Sequence, residues 1–195
     1  MKKTIPASVV VLLFILISCQ SKEEEDKAEK FFPVLPFIQS QMADVDTSLY
    51  AIKQIIIIDS NHSDTTWIKR EEFRDLAKDF LTLPDIAGKK LKKLYTEERQ
   101  FDETLNRVYL FYKPIKPKDT EIQSQQVIIT PDMAAGDKVR SIIIDWEIGN
   151  KDSSVQKRML WQVDQSFQVT TIAQKPGQPE TIRTMKVSWN EKEEE

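Results

Sequence analysis

Apolar and polar residues change their spacing several times along this chain. At the amino end an apolar run extends from Ile5 to Ile17 behind Lys2 and Lys3. At 13 residues it falls short of the roughly 20 a helix needs to cross a bilayer. Residues 20–30 are polar except for Ala28 and have no apolar face to bury. From Phe31 the pattern becomes that of a domain. Pro33 and Pro36 suit a helix start, and Val34, Ile38 and Met42 recur at helical spacing, which predicts a short helix over 34–44. Residues 49–58 end in four isoleucines, a β-branched run that predicts a strand buried on both faces, stopped by Asp59-Ser60-Asn61. Between Lys69 and Leu83, Phe73, Leu76, Ala77, Phe80 and Leu81 fall at i, i+3, i+4, i+7 and i+8 with charges between them. This is the clearest helix in the chain, and Pro84 ends it.

After about residue 100 the spacing turns to alternation, in apolar-rich segments near 104–112, 121–130, 138–148, 155–164, 166–173 and 180–189. Pro114 and Pro117, Asp132 with Gly136, Gly149-Asn150, Asp164-Gln165 and Pro176-Gly177 fall in the gaps, where turns need them. Within 141–148, Ile142, Ile144, Trp146 and Ile148 point one way and Ser141, Ile143, Asp145 and Glu147 the other. Val155, Met159, Trp161 and Val163 form a similar apolar face, and Arg183, Met185, Val187 and Trp189 a weaker one. The expected architecture is α+β: a curved antiparallel meander, a half-barrel of about six to eight strands, with two or three helices on one face. Residues 31–195 form its single domain.

Composition adds most at the amino end. Cys19 is the only cysteine of the 195 residues, so no internal disulfide and no cysteine zinc site can form. The order Lys2-Lys3, apolar run, Leu16-Ile17-Ser18-Cys19 is that of a leader with a charged n-region, an h-region and a cleavage site. Leu-Ile-Ser-Cys resembles the lipobox of bacterial lipoproteins at all four positions. That resemblance implies a diacylglycerol on the Cys19 sulfur, cleavage by signal peptidase II after Ser18, and a mature chain held on a membrane by its lipid. Lys22 followed by Glu23 and Glu24 resembles the surface-export signal of bacteroidete lipoproteins, and Gln20 stands where an inner-membrane retention aspartate would. Both imply the outer membrane, facing the medium; a periplasm-facing orientation and a merely solvating tether are the alternatives. Residues 19–30 then act as a flexible charged tether after a leader spanning 1–18. Without Lys2 and Lys3 the chain carries 26 basic against 31 acidic side chains, a balance that does not favour nucleic acid.

Few residues are suited to catalysis or ligation. The single histidine, His62, sits in a polar turn where Asp59, Asn61 and Ser63 match the first ligand positions of a calcium-binding EF-hand loop. Asp64 then replaces the required glycine and Arg70 the bidentate glutamate, so a hydrogen-bonded turn is the plainer reading. Asp145 and Glu147 share a strand face about 6.5 Å apart along the backbone, near the separations glycosidases use, although carboxylates on a wet sheet face need no catalytic role. Lys89, Lys90, Lys92 and Lys93 form a basic cluster suited to anionic lipid or polysaccharide, or simply to solvent. Trp146 and Trp161 lie on apolar faces and read as core, while Trp67 and Trp189 lie near element ends and are candidates for ligand stacking. No phosphate loop, zinc-protease helix or nucleophile elbow occurs in the sequence, and no cofactor is implied. The reading that asks least of these residues is a non-enzymatic binding or accessory protein of the envelope, its partner an envelope protein, a glycan or a small apolar ligand. The alternative is a secreted glycan-acting hydrolase using Asp145 and Glu147.

Overall fold

A computed structural model of the chain describes residues 31–59, 62–150 and 152–190. The leader, Cys19, the tether with Lys22, Glu23 and Glu24, and Asn61 of the calcium-like loop lie outside them. The helix expected over 34–44 runs a turn further, as α1, Val34–Thr47, with Val34, Ile38, Met42 and Val45 buried. Its carboxyl end is closed by side chains. Ser48 Oγ donates to Val45 O at 2.9 Å, and the Arg70 guanidinium donates to Val45 O, to Ser48 Oγ at 3.0 Å and to Tyr50 O at 2.9 Å. A cation there adds to the bonds that Ser48 makes with a carbonyl of the last helical turn and meets the negative end of the helix dipole.

The sheet has nine strands: β1 (Ile52–Ile57), β2 (Ser63–Ile68), β3 (Tyr95–Asp102), β4 (Arg107–Pro114), β5 (Ile122–Thr130), β6 (Lys138–Gly149), β7 (Ser154–Gln162), β8 (Ser166–Gln174) and β9 (Thr181–Ser188). Their order is β2-β1-β9-β8-β7-β6-β5-β4-β3, and every neighbouring pair is antiparallel. From β3 to β9 the chain meanders, each strand pairing with the next, and β9 then docks against β1 of the leading hairpin. β2 and β3 are edges that do not meet, so the sheet is open.

All six alternating segments become strands, β4 to β9, within a few residues of the expected bounds. The meander is longer than expected, and the protein is mostly β. β3, Tyr-Thr-Glu-Glu-Arg-Gln-Phe-Asp, and β2, Ser-Asp-Thr-Thr-Trp-Ile, escape the pattern because each is an edge strand with most side chains in solvent. Edge strands lack the buried face that produces alternation. The isoleucine run is not buried on both faces. Ile52 is buried, but Ile57 and Ile58 are exposed, because β1 lies one strand from an edge with a single covered face.

The expected helix of 69–83 is divided. A 3₁₀ turn, Arg70–Glu72, leads into α2, Phe73–Leu76, and α3, Lys78–Leu81, follows a break at Ala77, whose ψ is 3°. There Phe80 N–H bonds back to Ala77 O at 3.0 Å, a tighter i→i+3 turn. The apolar spacing still serves its purpose, since Phe73, Ala77 and Phe80 are all buried. With no glycine or proline in the segment, periodicity alone cannot locate the break. A last short helix, α4, covers Lys89–Lys92.

The core fills the face that the helices cover. Strand register sets Val187, Phe167, Trp161, Ile142, Val127 and Leu110 in one continuous row across six strands, and all six are buried. Above this row Phe80 meets Trp161 edge-on at 5.2 Å, and Phe73 meets Trp189 at 5.2 Å. Lys157 Nζ, on the same face of β7, pairs with Asp79 at 2.7 Å and ties α3 to the sheet.

Candidate functional site

Two places in this fold carry side chains that packing alone does not explain: the uncovered face of the sheet and a polar row inside the covered face. On the uncovered face, register aligns Ile55, Lys186, Gln168, Leu160, Ile143, Gln126 and Phe111 across seven strands. The row mixes aliphatic and polar groups, and its apolar members are half-buried. Tyr109 stacks on Phe111 with centroids at 6.1 Å. At the far edge Trp67 lies opposite Lys53 and is 70% exposed.

The two tryptophan candidates therefore separate. Trp67 presents its ring to solvent. Trp189 is 6% exposed and packs among Phe73, Phe167 and Trp161, so its place is the core and it is not available to a ligand. The residue follows β9 directly and stays in the row with Met185 and Val187 that alternation predicts, although its place near an element end also made it a stacking candidate. Trp161 is fully buried. Trp146 is half-buried, with its Nε1 donating to Glu121 at 3.1 Å and the Lys157 ammonium 5.3 Å from its ring.

Asp145 and Glu147 do share a face, the uncovered one. Asp145 accepts a hydrogen bond from Ser124 Oγ at 2.6 Å and lies 3.9 Å from Arg158 Nε, while Glu147 is exposed opposite Gln156. The carboxylate of Asp145 thus serves a cross-strand network with β5 and β7. His62 closes the β1–β2 turn. Its backbone N–H donates to Asp59 Oδ1 at 3.0 Å, and its Nδ1 lies 2.8 Å from Asp59 Oδ2. Arg70, which stands at the glutamate place of a calcium loop, is the residue that caps α1. Lys89, Lys90 and Lys92 lie on α4 with Lys93 just after it, all but Lys92 exposed.

The polar row was not foreseen. Register places Glu97 of β3, Tyr112 of β4 and Gln125 of β5 side by side on the covered face. The side chain of Glu97 is 4% exposed, and its Oε1 accepts from Arg99 Nε at 2.5 Å. Its Oε2 and the Nε2 of Gln125 are buried without a hydrogen-bond partner among the described residues. An unsatisfied group of this kind commonly costs about 1–3 kcal/mol. Phe32 N–H donates to the Tyr112 hydroxyl at 3.0 Å, and Phe31 packs against the ring at 4.8 Å. The sequence carried a faint signal, since Gln125 interrupts an otherwise apolar set of inward positions in β5.

Burial holds the Tyr112 phenol well above the usual tyrosine range; the Phe32 N–H opposes the shift and the Glu97 carboxylate reinforces it. The unfolded chain therefore releases this proton first as pH rises. The stability it contributes is fully present below about pH 10 and is lost as pH climbs toward the raised folded value. Denaturant unfolding across the alkaline range should fall less steeply with pH in Tyr112→Phe than in the parent. Equal slopes would mean that the phenol is not held neutral by its surroundings.

Compared with protein-family models, with curated proteins and with solved structures, the chain finds no match in any of the three.

Proposed function

We propose that the chain is the precursor of a bacterial lipoprotein of the outer membrane, displayed toward the medium, that acts as a non-enzymatic binding or accessory protein of the envelope. Leu16-Ile17-Ser18-Cys19 supports the anchor, and Lys22-Glu23-Glu24 with Gln20 supports the destination. The binding role rests chiefly on one observation: Trp67, 70% exposed, stands on the uncovered face of an open sheet, opposite Lys53. Exposed tryptophan offers a large rigid surface at low entropic cost, which is why it anchors so many interfaces. The partner classes that fit are an envelope protein, a glycan or a small apolar ligand. A half-barrel bend belongs to the same reading, because the right-handed twist accumulates over nine strands and curls an open sheet.

The alternative, a secreted glycan-acting hydrolase using Asp145 and Glu147, has weaker support because Asp145 is engaged by Ser124 and Arg158. Trp67→Ala tests the preferred reading. It should leave unfolding free energy within about 0.5 kcal/mol of the parent and lower the capture of an envelope component at least tenfold, about the effect of losing a tryptophan anchor. Unchanged capture would remove Trp67 from the account. Proteinase added to intact cells should digest the domain, and protection until the outer membrane is permeabilised would favour the periplasm.

A further inference from the structure

We propose that the lysine-rich end of the β3–β4 hairpin is a docking surface for an anionic bilayer, with Ile115 at its centre. Tyr95 pairs with Pro114, and Ile115 N–H donates to Leu94 O at 2.8 Å. Those contacts set residues 89–94 beside residues 113–118. The first segment carries Lys89, Lys90, Lys92 and Lys93, the second Lys113, Lys116 and Lys118. Lys92 is half-buried and the other six are exposed. Nearby acids are fewer: Asp85, Glu98, Asp119 and Glu121, with Glu97 paired to Arg99. A chain whose formal charge is −3 thus gathers a positive excess at one end of one hairpin.

Ile115 decides which polyanion fits. It is 59% exposed, stands between Lys113 and Lys116 in sequence and is hydrogen-bonded to Leu94, the residue after Lys93. An amphipathic patch of that kind suits a bilayer, where the ammonium groups meet phosphates, their stems lie along apolar surface and the isoleucine enters the headgroup boundary. A soluble polysaccharide would gain nothing from Ile115. Covalent connection points the same way. Lys92 Nζ lies 5.2 Å from the ring of Phe31, which packs on Tyr112, so the polypeptide leading back to Cys19 joins the domain at this end. Twelve residue steps from Cys19 to Phe31 reach at most about 43 Å, close enough for an anchored domain to touch its own membrane. Only this last point rests on the lipoprotein reading.

The chain has a single cysteine, so Cys19→Ser with Ile115→Cys carries one site for an environment-sensitive dye. Cys19→Ser with Met133→Cys places the same dye on a fully exposed position in the β5–β6 connection, at the other end of β5. The leader and the tether acids are common to both full-length chains. Vesicles of phosphatidylcholine containing phosphatidylglycerol should shift the dye at 115 to the blue and leave the dye at 133 unchanged, and high salt should reverse the shift. Replacing Lys90, Lys93, Lys116 and Lys118 by glutamine should lower partitioning at least tenfold, since each cation near such a surface contributes about fivefold. Three results would overturn the proposal: no shift at 115, equal shifts at 115 and 133, or a shift on pure phosphatidylcholine that the lysine changes leave intact. Fatty-acid incorporation is scored in the parent, which keeps Cys19, so label in the parent without a response at 115 in the dye-bearing variant leaves the anchor standing and removes this docking surface.

Discussion

Trp161→Ala should lower the free energy of unfolding by about 3–5 kcal/mol, the largest loss expected from any single side chain of the domain. Trp161 is fully buried in the middle of the six-strand apolar row. Its ring lies 5.5 Å from Phe167 at an interplanar angle of 10°, 5.2 Å from Phe80 and 5.6 Å from Trp189. Truncation would therefore open a cavity where the sheet meets α3, and the surrounding rings, held from three elements, can collapse into it only in part. Trp161→Phe should cost much less, because it keeps an aromatic ring and removes a buried indole N–H that has no partner among the described residues. Ile182→Ala, at an exposed position of β9, should fall within about 0.5 kcal/mol of the parent. Urea unfolding of the three variants reads the order directly. A loss below about 1 kcal/mol for Trp161→Ala would mean that this row is not the centre of the core.

How much of this fold the sequence revealed depends on where each strand sits. β6 and β7 are central, one face in the core and the other open, and Ile142, Ile144, Met159 and Trp161 were legible as one-sided rows because burial imposes a period of two. β2 and β3 lie at the edges, and their side chains obey solubility more than packing. The isoleucines ending β1 misled for the converse reason: a β-branched run resembles a doubly buried strand wherever it occurs, while actual burial depends on neighbours that pairing supplies. In the segment 69–83 the periodicity of Phe73, Ala77 and Phe80 located the buried face correctly and could not show that the backbone turns at Ala77 to reach it.

The candidate sites divide along the same line. That Asp145 and Glu147 share a face follows from strand period alone. The engagement of Asp145 by Ser124 and Arg158 depends on the β5–β6 and β6–β7 registers, which no local pattern encodes. Trp67 and Trp189 are equivalent in sequence as residues near element ends, yet one belongs to an edge strand and the other directly follows the strand that closes the meander against β1. Glu97, Tyr112 and Gln125 are spread over 29 positions of sequence and become neighbours only through strand pairing. The basic end shares this origin, since Lys89–Lys93 is visible as a cluster and its union with Lys113, Lys116, Lys118 and Ile115 is a product of the Tyr95–Pro114 pair.

The second large effect concerns the proposed anchor. Each acyl CH₂ placed in a bilayer contributes about 0.8 kcal/mol, so two or three chains on one cysteine hold a protein of this size on its membrane in an effectively permanent way. Cys19→Ser removes the only thiol, and with it the sulfur that lipid attachment and the cleavage that follows both require. The variant should lose all covalent lipid and retain its uncleaved leader, giving a larger product than the parent. Growth of cells with a labelled fatty acid, followed by isolation of parent and variant, measures this directly: label should enter the parent and not Cys19→Ser, and equal label in the two, or none in either, would mean that Cys19 does not carry the lipid.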